Sequence, residues 1–295
     1  MEFWKLRYPA AAAATALAMY ALMLSAVGFA EEEPETGKVR EESRVTLLGE
    51  RDYGGREFNS ELSLTVLAKY PEEGEQKRKM VGMTPSEVPV WVPDCEWWLI
   101  SPLGGAEQVD WEGVVQEIRD KKIPGLTLPP NATNEDLAHI EGVEQLRVLN
   151  LTATDVTDKG LATVASLNNL ELLDLRYTDV TAEALKHVKS LDKLRRLDLS
   201  MSSVEGEGLA YLKKLSDLRS LQLISLNITD GHLAHLEGVS GLRYLNLSYT
   251  DVTDKGIKHL AKLQKLKEID LRETAVTEQG VEELKNAIEG LRVRY

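Results

Sequence analysis

Cysteine is almost absent from this chain of 295 residues, which contains a single one, Cys95. One cysteine cannot form an intramolecular disulfide bond, so the fold must be stabilised by packing in any cellular compartment. Three tryptophans lie nearby, at positions 91, 97 and 98. This apolar setting favours a buried thiol over a reactive or intermolecular one.

Positive charge is also scarce, because 35 Lys and Arg residues face 48 Asp and Glu residues for a net charge of −13. Nucleic-acid binding needs a basic surface that releases counterions, and anionic lipid repels an acidic chain. The sequence also lacks a glycine-rich phosphate loop and a nucleophile elbow. It therefore predicts no nucleic-acid partner, no cofactor and no enzymatic activity.

A long apolar run occurs only at the N-terminus, over residues 10–30, where it follows Lys5 and Arg7. This pattern predicts a secretory signal peptide that is cleaved after Ala30. The run is also long enough to span a bilayer as an uncleaved anchor. We therefore expect an exported protein in the periplasm, cell envelope or extracellular space, with membrane attachment only if residues 1–30 are retained.

The rest of the chain divides by composition and periodicity. After an acidic linker comes a region with strand-like alternation, which we interpret as a small β-rich module of unknown role or an extended cap. Apolar residues at helical spacing then begin an N-terminal cap with a degenerate repeat. The predicted boundaries are 31–43 for the linker, 44–110 for the module, 111–145 for the cap, 146–289 for six repeats and 290–295 for a closing strand.

A step of 24 residues dominates the second half of the chain. Leucine recurs at this step at positions 146, 170, 194, 218, 242 and 266. Four further apolar columns follow 3, 5, 10 and 15 residues later in every copy. Such registered columns indicate a stack of similar units, none of which can bury its apolar face alone.

Each unit contains signals for one strand and one short helix. Leu149 and Leu151 alternate with polar residues, which predicts a strand with one face buried. Thr157 and Asp158 then favour the start of a helix, through an N-cap and the helix dipole. Stacked units of this kind predict a parallel sheet on the concave side and short helices on the convex side.

The repeated motif Leu-x-x-Leu-x-Leu-x-x-Thr-x-Val-Thr-Asp-x-Gly-Leu resembles the leucine-rich repeat family. It is most similar to the 24-residue repeats of secreted bacterial proteins, and also resembles those of F-box ubiquitin-ligase subunits, with Thr154 where the latter carry cysteine. The resemblance covers about residues 112–295. It implies an α/β leucine-rich repeat solenoid that acts as a protein–protein interaction module.

The concave face is the predicted binding surface, because arginine, tyrosine and exposed apolar groups are typical of interface hot spots. The candidate residues are Asp174, Arg176, Tyr177, Arg196, Asp198, Ile224, Tyr244 and Tyr249. The alternative interpretation is a solvated lattice of ion pairs with incidental tyrosines. A second hypothesis for function is an envelope structural or anchoring protein attached through residues 1–110, and a third, weaker one places a small enzyme or glycan-binding domain in residues 44–110.

Two groups of residues raise the question of a metal or catalytic site. One helix position holds His139, His187, His235 and His259, but no third ligand accompanies any adjacent pair, so we expect a partly exposed convex position instead of a metal site. Asp174 and Asp198 could form an acid–base or calcium pair. An open sheet face with arginines beside them argues against both.

Overall fold

The computed structural model describes residues 55–69, 78–85, 90–93 and 97–295. Several sequence predictions lie outside this part of the chain: the signal peptide or anchor, the acidic linker, the first residues of the β-rich module and the environment of Cys95.

The described residues form thirteen strands in two sheets. One sheet contains eleven strands in the order β13-β12-β11-β10-β9-β8-β7-β6-β5-β2-β3, and the other pairs β1 with β4. The strands are β1 Gly55–Phe58, β2 Leu64–Lys69, β3 Arg78–Thr84, β4 Val90–Pro93, β5 Trp97–Pro102, β6 Gly125–Thr127, β7 Val148–Asn150, β8 Leu172–Asp174, β9 Arg196–Asp198, β10 Ser220–Gln222, β11 Tyr244–Asn246, β12 Glu268–Asp270 and β13 Arg292–Arg294.

Helical segments connect the strands and lie on the opposite side of the core from the open sheet face. The α-helices are α1 Trp111–Lys121, α2 Asn134–Ala138, α3 Leu161–Val164, α4 Leu185–Val188, α5 Asp254–Ile257 and α6 Glu278–Ala287. The 3-10 helices are Ala106–Gln108, Gly206–Lys214, Asp230–Gly238 and Lys258–Lys262. Strands β5 to β13 pair in parallel, one strand per repeat. The predicted α/β solenoid is thus confirmed.

The apolar columns of the repeats form one continuous core. The leucines and the isoleucine that face inward from the strands are at most 2% exposed, from Leu149 in β7 to Ile269 in β12. Burial of each such side chain contributes about 1.5–3 kcal/mol of transfer free energy. Each inward side chain is buried against its counterparts in the neighbouring repeats. A single isolated repeat would therefore leave it exposed and would lose this stabilisation.

The β-rich N-terminal region continues the solenoid sheet. Strand β5 pairs in parallel with β6 through Ile100 and Leu126, while β2 lies antiparallel between β5 and β3. Residues 70–82 are rich in charge, which predicts a loop from composition alone, but β3 begins at Arg78. Pairing with β2 satisfies the backbone of this polar segment, an interaction that local composition does not reveal.

A ladder of hydrogen bonds joins successive repeats on the helical side. The Asp158 carboxylate accepts from the backbone N–H and the hydroxyl of Thr181, both at 2.7 Å. Asp230 accepts from Thr253 in the same way at 2.7 and 2.8 Å, and Asp254 from Thr277 at 2.8 and 2.7 Å. The repeated Thr-Asp pair thus fixes the spacing of adjacent units.

Two helices begin later than a threonine N-cap would place them. The predicted N-cap at Thr157 is wrong, since α3 begins at Leu161 after Gly160. Likewise α4 begins at Leu185, after Ala184 and not after Thr181. The Thr181 hydroxyl donates to Asp158 of the preceding repeat. Thr253 and Thr277, at the same repeat position, make the equivalent bonds to Asp230 and Asp254 and also cap α5 and α6.

The ladder is interrupted in the middle of the stack, where Ala182 and Gly206 occupy the aspartate position. Beside Gly206, the imidazole of His232 takes over, and its Nδ1 accepts from the Thr229 backbone N–H at 3.1 Å. A Cβ on Gly206 would lie 2.0 Å from that nitrogen, so only glycine fits there. The repeats that contain Gly206 and His232 have 3-10 helices, Gly206–Lys214 and Asp230–Gly238, in place of the α-helix.

We predict that Asp158→Ala lowers the free energy of unfolding by about 1–3 kcal/mol, because two donors of Thr181 lose their acceptor. Urea denaturation of the full chain measures this change. Asp155→Ala is the matched control, since Asp155 is an exposed residue of the same repeat and should change stability by less than about 0.5 kcal/mol. Equal losses in both variants would refute the inter-repeat role of Asp158.

Candidate functional site

The open face of the sheet, which we call the concave face, is built from rows of side chains in strict register. One central row runs across six adjacent strands, about 4.8 Å apart. Its members are Asn150, Asp174, Asp198, Gln222, Asn246 and Asp270. Any ligand of this face would therefore meet a polar central line.

Most of this row has a structural task at the ends of the strands. In five of the six repeats, a side-chain oxygen of the Asn or Asp accepts a hydrogen bond of 2.9–3.2 Å from the backbone N–H two residues later. Gln222 is one methylene longer, and there the Ile224 N–H instead donates to Ser200 Oγ of the preceding repeat at 3.2 Å. These bonds set the turn that ends each strand.

Asp174, Arg176 and Asp198 form a compact charged cluster, as their positions in the repeat suggested. Arg176 donates to Asp174 from Nη2 at 2.7 Å and from Nε at 2.9 Å. Its Nε also lies 3.4 Å from Asp198 Oδ2. One guanidinium therefore faces two carboxylates, and a charge reversal at Arg176 would leave them uncompensated.

The cluster shifts the ionisation of its members. Burial, followed by the charge of Asp174, raises the pKa of Asp198 from 3.8 to about 6. Burial would lower the pKa of Arg176, but the charge and hydrogen bond of Asp174 raise it. In the same row Asp270 has no neighbouring carboxylate, and although burial opposes it, hydrogen bonding by Arg272 lowers the pKa of Asp270.

The residue after each strand turn adopts the left-handed conformation in all six repeats, with φ between 55 and 59°. These residues are Ala153, Tyr177, Met201, Ser225, Tyr249 and Glu273. Left-handed backbone is unfavourable for residues other than glycine by about 1–2 kcal/mol. None of the six is glycine, so the repeat keeps side chains at a position where glycine would be less strained.

Three members of this column are large and exposed, and we call them the ledge: Tyr177 at 42%, Met201 at 43% and Tyr249 at 60% exposure. The other predicted apolar contributors to the face, Ile224 and Tyr244, are half-buried. Sequence reasoning placed the tyrosines beside the face but missed the left-handed backbone. The available signal was their shared position directly before the repeat threonine, where the chain must turn.

The predicted site residues thus fall into separate groups. Asp174, Arg176 and Asp198 meet in one cluster, and Arg196 lies on the same face two residues before Asp198. Tyr244 lies in the row of Arg196, two strands away. Tyr177 and Tyr249 lie beyond the strand ends and are separated by two repeats.

The histidine column lies on the helical side. His259 Nδ1 is 2.9 Å from Glu237 Oε1, and the ring of His139 stacks on Trp111 with centroids 6.0 Å apart. Within the described part of the chain, no group of three or more His, Cys, Asp or Glu residues is arranged to hold a metal ion.

A shallow pocket of about 410 Å³ opens on the helical side, where Ala182 replaces the ladder aspartate. Its lining includes Tyr211. The Nζ atoms of Lys186 and Lys189 each lie 5.9 Å from the centre of the Tyr211 ring. Sequence reasoning treated Tyr211 only as an occupant of the histidine position.

Comparison with known proteins agrees with this architecture. The family model described as Leucine Rich repeat matches residues 242–261, while no curated protein matches the chain. Internalin C2 (inlC2) from Listeria monocytogenes str. 4b F2365 superposes with a TM-score of 0.52 at 21% identity, covering 66% of this chain and 79% of that one. This likeness shows the fold, a leucine-rich repeat solenoid.

A second solved structure, the internalin inlF from the same organism, superposes with a TM-score of 0.48 at 18% identity. The match covers 58% of this chain but 47% of inlF, so the chain spans about half the length of that protein. Across the described residues, none of the helices combines the length and apolar character required to cross a bilayer.

The pKa of Asp198 is raised and that of Asp270 is lowered, which predicts opposite effects of pH on the two residues' contributions to stability. When a carboxyl has a higher pKa in the folded than in the unfolded state, the protein becomes less stable as that carboxyl ionises. For Asp198 this occurs as pH rises from about 4 to about 6. Asp198→Asn should therefore raise the free energy of unfolding by about 1–3 kcal/mol at pH 8 and change it little at pH 4.

Asp270→Asn is the matched control, because it removes a carboxylate that the fold prefers ionised. It should lower stability at pH 8 and still do so at pH 4, because the lowered pKa of Asp270 lies below 3.8 and the loss disappears only at more acidic pH. Urea unfolding of both variants at the two pH values measures these effects. The same sign for both variants at pH 8 would contradict the assignment of Asp198 as a strained carboxylate.

Proposed function

We propose that this protein is an exported, non-enzymatic binding protein that recognises another protein through the concave face and the ledge at its margin. The proposal rests above all on the ledge, where Tyr177, Met201 and Tyr249 expose large side chains from strained backbone positions. The left-handed turn itself is common to all six repeats, so what distinguishes the ledge is the size and exposure of its side chains.

The chemistry of the ledge fits a protein partner. Tyrosine and methionine supply apolar contact area, and the tyrosine hydroxyl adds a hydrogen-bonding group at the rim. Tyr177 and Met201 belong to adjacent repeats, because the Tyr177 N–H donates to the Ser200 carbonyl. Side chains on adjacent repeats lie close enough to form one apolar contact for a partner.

The neighbouring row on the concave side adds one apolar and one charged group. Its Ser200 and Ser248 are buried, whereas Ile224 and Arg272 are accessible to a partner. Ile224 supplies apolar area at the centre of this row, whereas Arg272 is 58% exposed despite its pairing with Asp270. This combination of an apolar centre and a polar rim is typical of protein interfaces.

The carboxylates of the central row are better suited to holding the turns than to acid–base catalysis. Asp174 is 4% exposed and accepts hydrogen bonds from Arg176, and Asp198 accepts from the Ser200 N–H. Both groups therefore already have partners in the protein. Export is supported by the apolar N-terminal run and its basic start, which are typical of secretion signals.

We predict that the full chain with a photo-reactive phenylalanine analogue in place of Met201 will cross-link one partner in the cells that produce it. The same replacement at Tyr211, on the helical side, is the positional control and should not capture that partner. Affinity of the purified partner should then fall by about a hundredfold in a Tyr177→Ala, Tyr249→Ala variant, since two hot-spot aromatics are lost.

Leu103→Ala with Tyr295→Ala is the matched variant, because it removes two exposed apolar side chains away from the ledge. It should retain the wild-type affinity. Circular dichroism of both variants verifies folding. Full affinity in the Tyr177→Ala, Tyr249→Ala variant, or capture from Tyr211 alone, would overturn the proposal; loss of binding on removal of residues 31–110 alone would favour the anchoring hypothesis.

A further inference from the structure

A line of positive charge runs along the opposite margin of the sheet, at the N-terminal ends of the strands. Four successive repeats place a cation directly before the strand: Arg195, Arg219, Arg243 and Lys267. Their backbones form a continuous ladder, because each of the last three donates its N–H to the carbonyl of the preceding one at 2.8 Å. We call these four residues the basic stripe.

Neutralisation of the stripe is incomplete. Arg195 lies 3.4 Å from Glu171, and Arg219 lies 3.2 Å from Asp217. Within the described residues, Arg243 and Lys267 form no ion pair, and both are exposed. Charge therefore accumulates toward the C-terminal end of the stripe.

This accumulation is local and unfavourable for the isolated protein. Residues 146–295 contain 21 Lys and Arg residues against 22 Asp and Glu residues, so the repeats as a whole are almost neutral within a chain of charge −13. Like charges on neighbouring strands repel each other and destabilise the sheet. An anionic partner laid along the stripe would relieve this repulsion.

We propose that the basic stripe binds an extended acidic segment of a partner protein. Neighbouring strands are about 4.8 Å apart, so the stripe is about 14 Å long. Three carboxylates at alternate positions of an extended polypeptide cover about the same length, at about 3.4 Å per residue. Arginine also pairs with carboxylate in a bidentate manner, and three of the four residues are arginine.

The surroundings of the stripe favour a peptide over a nucleic acid. The carboxylate of Glu171 flanks the first cation of the stripe and that of Asp217 lies beside the second, and the remainder of the chain is strongly acidic. A continuous phosphate backbone would meet these negative charges, whereas an acidic peptide can place neutral residues opposite them. The stripe lies at the other ends of the strands from the ledge, so it does not depend on the function proposed above.

The test uses the full chain and a fluorescein-labelled peptide of alternating glutamate and threonine. Fluorescence anisotropy at low ionic strength, where screening is weak, measures binding. Arg243→Gln with Lys267→Gln should weaken binding about tenfold, because the two unpaired cations of the stripe are lost. Neither side chain makes a contact that folding requires, and circular dichroism verifies this.

Lys159→Gln with Lys255→Gln is the matched control, since it removes two exposed lysines outside the stripe and changes the net charge equally. It should change the affinity by less than about twofold. The proposal falls if the wild-type chain does not bind the peptide, or if the control pair weakens binding as much as the stripe pair. It also falls if a single-stranded DNA of equal charge binds the stripe more tightly than the peptide.

Discussion

The structure depends on the parallel pairing of one short strand per repeat at a step of 24 residues. A strand of three residues, such as Leu172–Asp174, has little stability by itself, and it persists because neighbours on both sides complete its hydrogen bonds. The inward leucines contribute burial only in this register. Once pairing fixes the register, each outward-facing position of the repeat lines up with its equivalents in the neighbouring repeats and forms a row on the surface.

Because of these rows, the two edges of the concave face, at the two ends of the strands, present different kinds of side chain. The left-handed column at the C-terminal ends of the strands holds the ledge, while the column at the N-terminal ends holds the basic stripe. The central row between them is largely engaged in ending the strands, which reduces the carboxylates available to a ligand. We therefore place recognition at the margins of the concave face, with the central row as its support.

Much of the fold could be predicted from the sequence because periodicity directly encodes burial. The columns that include Leu146 and Leu149 identified the strands and the stack before any contact was known. What failed was the use of individual polar residues: Thr157 has the composition of an N-cap, but α3 begins at Leu161. The backbone N–H and the hydroxyl of Thr157 pair with Asn134, 23 residues earlier in the chain, a contact that local rules do not reveal.

The candidate site could be predicted only in part from the sequence, for the same reason. Register placed Asp174 beside Asp198, but the turn-ending role of their side chains depends on backbone geometry that the residue types do not specify. The strain at Tyr177 and Met201 was likewise invisible, since nothing in either residue type favours positive φ. Pairing of β5 with β6, which joins the N-terminal strands to the solenoid, involves a single registered pair of residues.

Hydroxyl-radical footprinting of the full chain, free and saturated with its partner, tests the account most directly, because tyrosine and methionine side chains report their own exposure. The account predicts that oxidation of Tyr177, Met201 and Tyr249 slows in the complex, while Tyr295, which is 55% exposed in the free chain, continues to react at its original rate. Unchanged oxidation at all three ledge residues, with protection elsewhere, would contradict the placement of recognition at this margin.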